Sequence, residues 1–183
     1  MAIPPDALRR TGGVPIKQIV FDRETIARRV AEMGREVTAA YPSGDLLLLG
    51  LLKGSFVFMA DLARAIERPV QVDFMVASSY GKEKNSSGNV RLLYDPATDL
   101  AGKHVLVVED IIDTGRTLQR LLSLLAARQP ASLAVCALLD KKIAPPTPEV
   151  RFVGFDCPPA FIVGYGLDHA ENYRHLPFIA DLG

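Results

Sequence analysis

Residues 104–118 decide the fold, and their sequence is His104-Val105-Leu106-Val107-Val108-Glu109-Asp110-Ile111-Ile112-Asp113-Thr114-Gly115-Arg116-Thr117-Leu118. Residues 105–108 form an apolar run rich in valine, which predicts a short strand buried on both faces of a helix-covered parallel sheet. We expect the strand to stop before Glu109, so that this residue, Asp110 and Asp113 lie just beyond its end. A helix is then predicted from the leucines that recur on one face, Leu118, Leu121, Leu122 and Leu125. Acidic residues and a glycine turn at the carboxyl end of a central strand are typical of ligand sites in open α/β sheets.

Further helices and strands are predicted on both sides of residues 104–118. Asp22 is suited to cap a helix with apolar residues three and four positions apart. Further strands are predicted at residues 46–52, 70–76, 90–94, 133–139, 150–155 and 161–165, with a second helical stripe before Pro69. The alternation of strands and helices favours an α/β fold with a mostly parallel, twisted sheet flanked by helices.

Length and composition limit the possible functions. At 183 residues, the chain suits a single domain covering residues 1–183. Its 21 Lys and Arg balance 21 Asp and Glu, so no overall field attracts nucleic acid or an acidic membrane. No apolar run approaches the ~20 residues of a membrane span. We therefore predict no nucleic-acid partner and no membrane partner.

The N-terminus and the cysteines indicate where the protein is found. Residues 1–15 contain three prolines and an Arg9-Arg10 pair but no apolar core, so they do not form a signal peptide, and we expect a loose extension. Cys136 and Cys157 have no metal-ligand spacing and form no disulfide framework. These features predict a cytoplasmic protein with reduced thiols.

A long polar stretch interrupts the pattern at residues 78–88. It is rich in serine, lysine and glycine and lies between two predicted strands, so it is expected to be a long hairpin loop. Loops of this length in compact domains are often lids over a site. Composition alone is equally compatible with a simple disordered turn.

Three predicted strands end in charged or glycine-containing turns, at residues 53–54, 109–117 and 140–142. Parallel neighbouring strands would bring these turns to the same edge of the sheet. Residues 113–117 have the parts of a phosphate cradle, because small residues and a glycine precede a helix N-terminus that carries roughly half a positive charge. The chain has neither a Walker loop nor a Gly-x-Gly-x-x-Gly motif after a strand, so nucleoside triphosphatase and dinucleotide-binding functions lose their main support.

The acidic residues beside this cradle would repel a bare phosphate unless sugar hydroxyls or Mg²⁺ compensate for their charge. A simpler alternative is that Asp113 or Thr114 only caps the helix. By residue type alone, Lys53 and Lys141 could be solvated turn lysines, and Phe161 a core residue. The three histidines share no metal-binding spacing and are assigned no role.

Residues 107–117 resemble the 5-phosphoribosyl-1-pyrophosphate (PRPP) motif of type I phosphoribosyltransferases, in the form found in the hypoxanthine-guanine branch. The resemblance extends from about residue 19 to the C-terminus. It includes the segments 51–55, 79–81, 138–141 and 161–168. It implies the fold of that family, with a small hood formed by terminal segments from parts of 16–22 and 150–183.

The resemblance implies how the ribose phosphate would be bound. Glu109 and Asp110 would hold the ribose hydroxyls and take part in metal binding. The 5′-phosphate would be held by the backbone and hydroxyls of the cradle, which includes Thr114, Gly115, Arg116 and Thr117. Asp113 would lie near the purine N7 as proton acceptor. Arg116 stands where the family also has lysine, and little change is expected because backbone groups bind the phosphate there.

The resemblance also assigns roles around the pyrophosphate. The Leu52-Lys53 peptide would be cis, and Lys53 and Gly54 would turn donors toward the pyrophosphate. Asp168 would ligate a second Mg²⁺, and Arg174 would reach the pyrophosphate. Electrostatic stabilisation of the leaving group is the main chemical need of such a transfer, and these side chains are suited to it.

The purine and the lid complete the implied site. Lys141 would donate to the purine O6, Phe161 would stack on the base, and the Ile162 backbone would read its edge. Ser79 and Tyr80 would belong to a lid that excludes water from the activated sugar. A lysine donor discriminates against the amino group of adenine, because that donor is left unpaired by the wrong base.

The sequence therefore predicts an Mg²⁺-dependent enzyme of purine salvage. It would transfer the phosphoribosyl group of PRPP to hypoxanthine, and to guanine, giving IMP or GMP and pyrophosphate, as a homodimer or homotetramer. An alternative on the same fold is a regulatory protein that senses PRPP without turnover. Asp113, Lys141 and the absence of net basic charge count against it. The pairing of Lys141 with Phe161 counts against a pyrimidine or adenine transferase.

Overall fold

A computed structural model describes residues 7–79, 90–143 and 145–183. The helices are α1 (Ala7–Arg10), α2 (Arg23–Ala40), α3 (Phe56–Ala65) and α4 (Arg116–Ala126). The strands are β1 (Gln18–Phe21), β2 (Leu46–Leu51), β3 (Gln71–Ser79), β4 (Val90–Tyr94), β5 (His104–Ile112), β6 (Ser132–Asp140), β7 (Val150–Asp156), β8 (Ile162–Val163) and β9 (Ile179–Asp181). None of the described helices is both long enough and apolar enough to span a membrane.

Six strands form the main sheet in the order β4-β3-β2-β5-β6-β7. All neighbours are parallel except β3 and β4, which pair antiparallel. The two central strands, β2 and β5, are the apolar runs singled out in the sequence. The prediction of a mostly parallel α/β sheet is confirmed, and the carboxyl ends of β2, β5 and β6 lie at one edge.

Both faces of the central strands are buried, as a continuous apolar run predicts. Alternate residues of β2 and β5, such as Leu48 and Leu106, pack with α2 and α3 on one face. The intervening residues, such as Leu49 and Val107, pack with α4 on the other. The side chain of Asp22 caps α2 by accepting a hydrogen bond of 2.7 Å from the Thr25 N–H, as expected from the sequence.

A second, three-stranded antiparallel sheet has the order β1-β9-β8. It brings residues 18–21 together with the C-terminal residues 162–163 and 179–181. β7 instead joins the edge of the main sheet beside β6. A separate apolar cluster, which includes Val163, Leu176 and Phe178, packs under the second sheet.

Two expectations differ from the structure. The N-terminus was expected to be loose, but residues 7–15 form α1 and a turn, and Ala7 is fully buried in the cluster under the second sheet. Ala7 is buried against residues that are distant in sequence, and these contacts explain why residues 7–15 adopt a defined structure. The prediction that a loop begins at residue 78 is wrong, because Ser78 and Ser79 belong to β3 and pair with β4. Residues 80–89 lie outside the described residues.

Candidate active site

Glu109 and Asp110 lie inside β5, so the expectation that the strand stops before Glu109 is wrong, whereas Asp113 lies just beyond the end of the strand as predicted. Pairing between β2 and β5 ends at Gly50 and Val108, but pairing between β5 and β6 continues to Ile112 and Asp140. The ladder with β6 therefore holds the backbone of the acidic residues extended, while β2 has already turned away. Glu109 and Asp110 occupy a rigid strand beside the turn that follows β2.

Asp110 packs directly against that turn. A Cβ placed on Gly54 would lie only 1.6 Å from Asp110 Oδ2, so only glycine fits at this position without displacing the carboxylate. Asp110 Oδ1 accepts a hydrogen bond of 2.9 Å from the Ile111 N–H. The contact between Asp110 and Gly54 joins the ends of β5 and β2 into one surface.

Burial changes the acidity of both carboxyl groups. It raises the pKa of Glu109 well above its usual value, and the charge on neighbouring Asp110 adds to the rise. Burial also raises the pKa of Asp110, although the Ile111 N–H and the Arg174 guanidinium oppose the rise. A buried carboxyl group next to a half-buried one favours ligands that supply hydroxyl donors or positive charge.

The cradle that follows β5 opens into the N-terminus of α4. Gly115 is the N-cap residue with a φ of 70°, and it has no side chain to cap the helix. Because the N-cap position belongs to Gly115, this geometry counts against the alternative in which Asp113 or Thr114 serves only as a helix cap. The first N–H groups of a helix have no partner within it, so they are available to an anion. Asp113 and Thr114 are exposed, Thr117 is half-buried, and the side chain of Arg116 is not described.

Lys141 follows β6 and lies beside the cradle. Its Nζ is 3.0 Å from Asp113 Oδ2, and its backbone N–H donates to the Ile112 carbonyl at 3.0 Å. The backbone contact extends the β5–β6 ladder by one step and fixes where the side chain begins. The two residues predicted to contact neighbouring atoms of a purine thus lie next to each other.

A cavity of about 440 Å³ lies beside this pair and is lined by Lys141, Ile143, Cys157, Pro158, Pro159, Ala160 and Phe161. Phe161 is 50% exposed, so it is not the core residue that its type suggests. Its ring meets the His169 ring edge-on, with centroids 5.1 Å apart. Ile162 is buried in β8. An apolar cavity with one aromatic face and one ammonium group suits a flat heterocycle that carries an acceptor.

Two further cations lie near the turn after β2, Lys53 in the turn itself and Arg174 on the C-terminal segment. The Leu52-Lys53 peptide is cis, as the resemblance implies. Lys53 Nζ is 3.0 Å from Glu171 Oε2. Arg174 lies on the same segment as Glu171. It donates to the Gly166 carbonyl at 2.8 Å through Nη1 and lies 2.7 Å from Asp168 Oδ1 through Nη2.

The carboxylates of this region suit a hard divalent cation. Among the residues that the structure describes, no three His, Cys, Asp or Glu side chains converge as metal ligands, so Glu109, Asp110 and Asp168 do not form one cluster. Mg²⁺ usually keeps several waters and takes one or two carboxylates together with substrate oxygens. The charge of Asp168 reaches Asp110 and contributes to the raised pKa of that residue. A cation near these two side chains would relieve that repulsion.

Some predicted residues have no described side chain, and some neighbours of the site were not predicted. Tyr80 lies outside the described residues, and Ser79 is described only by its backbone in β3, so their role in a lid stays a prediction. Glu171 and Cys157 were not predicted, although both stand in or next to segments that carry the motifs. A larger cavity of about 580 Å³ between α2, α3 and the C-terminal segment shares only Arg174 with the predicted site residues.

Comparisons with known proteins agree with this geometry. The sequence profile of the Phosphoribosyl transferase domain matches residues 18–170. The chain is 47% identical over 168 residues to the hypoxanthine phosphoribosyltransferase of Salmonella typhimurium, covering 88% of this chain and 93% of the relative. It is 48% identical over 172 residues to the hypoxanthine-guanine phosphoribosyltransferase of Dictyostelium discoideum, covering 91% and 95%. The crystal structure of a hypoxanthine phosphoribosyltransferase from Staphylococcus aureus superposes with a TM-score of 0.87 at 38% identity, covering 92% of each chain.

Proposed function

Because the chain belongs to the Phosphoribosyl transferase domain family, among its hypoxanthine and hypoxanthine-guanine members, we propose that it is a purine-salvage enzyme. It transfers the 5-phosphoribosyl group of PRPP to hypoxanthine, and to guanine, with release of pyrophosphate. The observation that carries this proposal is the position of Lys141 beside Asp113, at a cavity that Phe161 also lines. A protein that only senses PRPP has no need for such a base pocket.

The ribose phosphate is the fixed part of the reaction. Glu109 and Asp110 accept hydrogen bonds from the ribose hydroxyls, which is favourable because Glu109 is buried and the neighbouring Asp110 is half-buried. The 5′-phosphate binds at the N-terminus of α4, where backbone N–H groups and the hydroxyls of Thr114 and Thr117 donate to it. A phosphate at one end and hydroxyl contacts at the other hold C1′ between the base and the pyrophosphate.

The base is selected by donors and acceptors at its edge. Lys141 moves its ammonium group from Asp113 to the purine O6 and leaves Asp113 free to accept the proton from N7. Phe161 stacks on the ring, and the Ile162 backbone contacts the remaining edge. An adenine amino group offers no acceptor to Lys141, so 6-oxopurines are preferred.

Pyrophosphate leaves toward the turn after β2. Lys53, Arg174 and the Gly54 backbone stabilise the negative charge that develops on the leaving group. We propose Mg²⁺ as the cofactor, held near Asp168 and near the ribose-binding pair Glu109 and Asp110. When bound, it neutralises phosphate charge and orients the pyrophosphate.

We also propose a cytoplasmic location and a homodimer or homotetramer. Both cysteines, Cys136 and Cys157, are free thiols, as expected of a reducing compartment. Apolar side chains are exposed on α3 and β3, among them Phe56 and Val72, and assembly would cover them. Light scattering of the purified protein tests the assembly state.

A direct assay tests the activity. The protein is incubated with PRPP, Mg²⁺ and one base at a time, with hypoxanthine, guanine, xanthine, adenine and uracil compared. We expect pyrophosphate release with hypoxanthine and guanine but not with adenine or uracil, with loss of activity in EDTA and recovery on addition of Mg²⁺. PRPP binding without turnover of any base would contradict the proposal and favour a regulatory protein.

A further inference from the structure

One acidic side chain lies between the two cations that the proposed function assigns to pyrophosphate. Glu171 Oε2 is 3.0 Å from Lys53 Nζ and 3.6 Å from Arg174 Nη2. The same oxygen atom makes both contacts. Lys53 follows β2 and Arg174 belongs to the C-terminal segment, so this single carboxylate links two separate parts of the site.

The backbone determines where Glu171 lies. Its N–H donates to Asp168 Oδ2 at 3.0 Å, and His169 and Asn172 exchange backbone hydrogen bonds of 3.2 and 3.0 Å around it. Glu171 itself has a φ of 66°, in the left-handed region. A tight turn thus presents the carboxylate to the cations.

The cations in turn stabilise the charge on Glu171. The Lys53 ammonium group lowers the pKa of this carboxyl, and Arg174 acts in the same direction. Arg174 is additionally bound to Asp168 and to the Gly166 carbonyl, so its position does not depend on Glu171 alone. A ligand can therefore displace the exposed carboxylate of Glu171. Lys53 and Arg174 then remain in place to bind that ligand.

We propose that Glu171 is an intramolecular substitute for the pyrophosphate group, which occupies Lys53 and Arg174 in the ligand-free protein and is displaced when PRPP binds. The inference rests on the proposed function, because it takes the diphosphate of PRPP as the competing anion. Two consequences follow. The pair of cations is kept oriented and partly neutralised before the substrate arrives. Pyrophosphate release is assisted, because Glu171 returns to the cations as the product leaves.

The variant Glu171→Gln tests this competition. It keeps the size of the side chain and removes its charge. Titration calorimetry with inorganic pyrophosphate and MgCl₂ should show binding about two- to five-fold tighter than in the unaltered protein, the range expected for loss of an exposed ion pair. The gain should shrink at high salt, which screens exposed charges. The KM for PRPP should fall by a similar factor, while the KM for hypoxanthine stays the same.

Two further variants distinguish competition by Glu171 from a purely structural role in the turn. Glu67→Gln removes an equal charge from an exposed position after α3, and it should leave pyrophosphate binding unchanged. In a Lys53→Met background, the gain from Glu171→Gln should shrink, because one of the two contested contacts is gone. If Glu171 only supported the turn, its replacement would weaken pyrophosphate binding instead of strengthening it.

Unchanged or weaker pyrophosphate binding by Glu171→Gln would overturn the inference alone, provided that the unaltered protein binds PRPP and turns over hypoxanthine. An unaltered protein that binds neither PRPP nor pyrophosphate would overturn the proposed function together with the inference.

Discussion

Lys141 Nζ and Asp113 Oδ2 form an ion pair of 3.0 Å across the carboxyl ends of β6 and β5. The side chains are partly exposed, with 35% and 52% of their surface accessible, so the pair contributes little to stability. Its significance lies in the proposed roles of the two residues. If they act on the base as proposed, a 6-oxopurine that enters the cavity draws the ammonium group toward its O6 and so frees Asp113 to accept a proton from N7.

Replacing Lys141 with methionine should reduce recognition of the base. We expect Lys141→Met to lower kcat/KM for hypoxanthine by about 10- to 100-fold, the effect of losing one hydrogen bond from a charged donor, while the KM for PRPP stays within about twofold. Lys142→Met is the matched control, since Lys142 Nζ pairs with Asp140 at 3.2 Å and with Asp156 at 3.3 Å. Equal losses in both variants would contradict the role of Lys141.

Replacing Asp113 with asparagine should act on turnover. The variant keeps the shape of the side chain but cannot accept a proton as the carboxylate does, so kcat should fall by roughly 10²–10⁴. PRPP affinity, measured by calorimetry, should change far less. Asp45→Asn changes an exposed residue just before β2, at the opposite edge of the sheet, and should leave kcat unchanged. An unchanged kcat in Asp113→Asn would remove the proton-transfer role.

The fold could be predicted because its central strands carry an unambiguous pattern. Continuous apolar runs at 46–52, 105–108 and 133–139 correspond to strands buried on both faces. The end of β5 could not be predicted from the same pattern. Its pairing with β6 continues through two acidic residues to Ile112, and backbone pairing between strands does not depend on apolar side chains. The defined structure of residues 7–15 could not be predicted either, because it depends on contacts with the second sheet, whose residues are distant in sequence.

The site was predictable to the extent that topology gathers the ends of parallel strands. Lys53, Asp110, Asp113 and Lys141 follow from that rule and from the motif resemblance. Glu171 does not, because its contact with Lys53 joins residues 118 positions apart through an irregular segment. No periodic pattern or strand end marks such a residue. A binding role for Phe161 could be predicted only from the motif resemblance, because the two apolar residues that follow it suggest a core position.

The buried carboxyl group of Glu109 should make the ligand-free protein less stable than it would otherwise be. A carboxyl group with a raised folded-state pKa favours the unfolded state once pH exceeds the unfolded value near 4.5, because the unfolded chain ionises first. The penalty is absent below that pH and grows until pH passes the raised pKa of Glu109. Glu109→Gln should therefore raise Tm at pH 7 by about 2–4 °C or more, and change it little at pH 4.

Thermal unfolding of Glu109→Gln without Mg²⁺, at several pH values, measures this effect. Glu67→Gln serves as the control, because Glu67 is exposed. PRPP binding should weaken in Glu109→Gln although the protein is more stable, which is the trade-off expected of a functional buried charge. A Tm that falls at neutral pH, or rises equally at pH 4, would contradict the assignment.

The contact between Gly54 and Asp110 allows a last test, in which the geometry of the site is changed while all of its charged groups are kept. An alanine Cβ at Gly54 would lie 1.6 Å from Asp110 Oδ2 and 2.3 Å from its Cγ, so Gly54→Ala must displace either the carboxylate or the turn. A displacement of about 1 Å at a reacting site can cost roughly 100-fold in rate. We expect kcat/KM for PRPP to fall by about that factor, although every charged group is retained.

The control is Gly102→Ala, in the turn before β5. An added Cβ there meets nothing within 4 Å, but the φ of 70° strains any side chain. Gly102→Ala should therefore lower Tm and leave kcat/KM for PRPP unchanged, whereas Gly54→Ala should lower kcat/KM for PRPP by far more than its change in Tm explains. If Gly54→Ala kept full activity, Asp110 would not need the position that the structure gives it, and the ribose would have to be held by Glu109 alone.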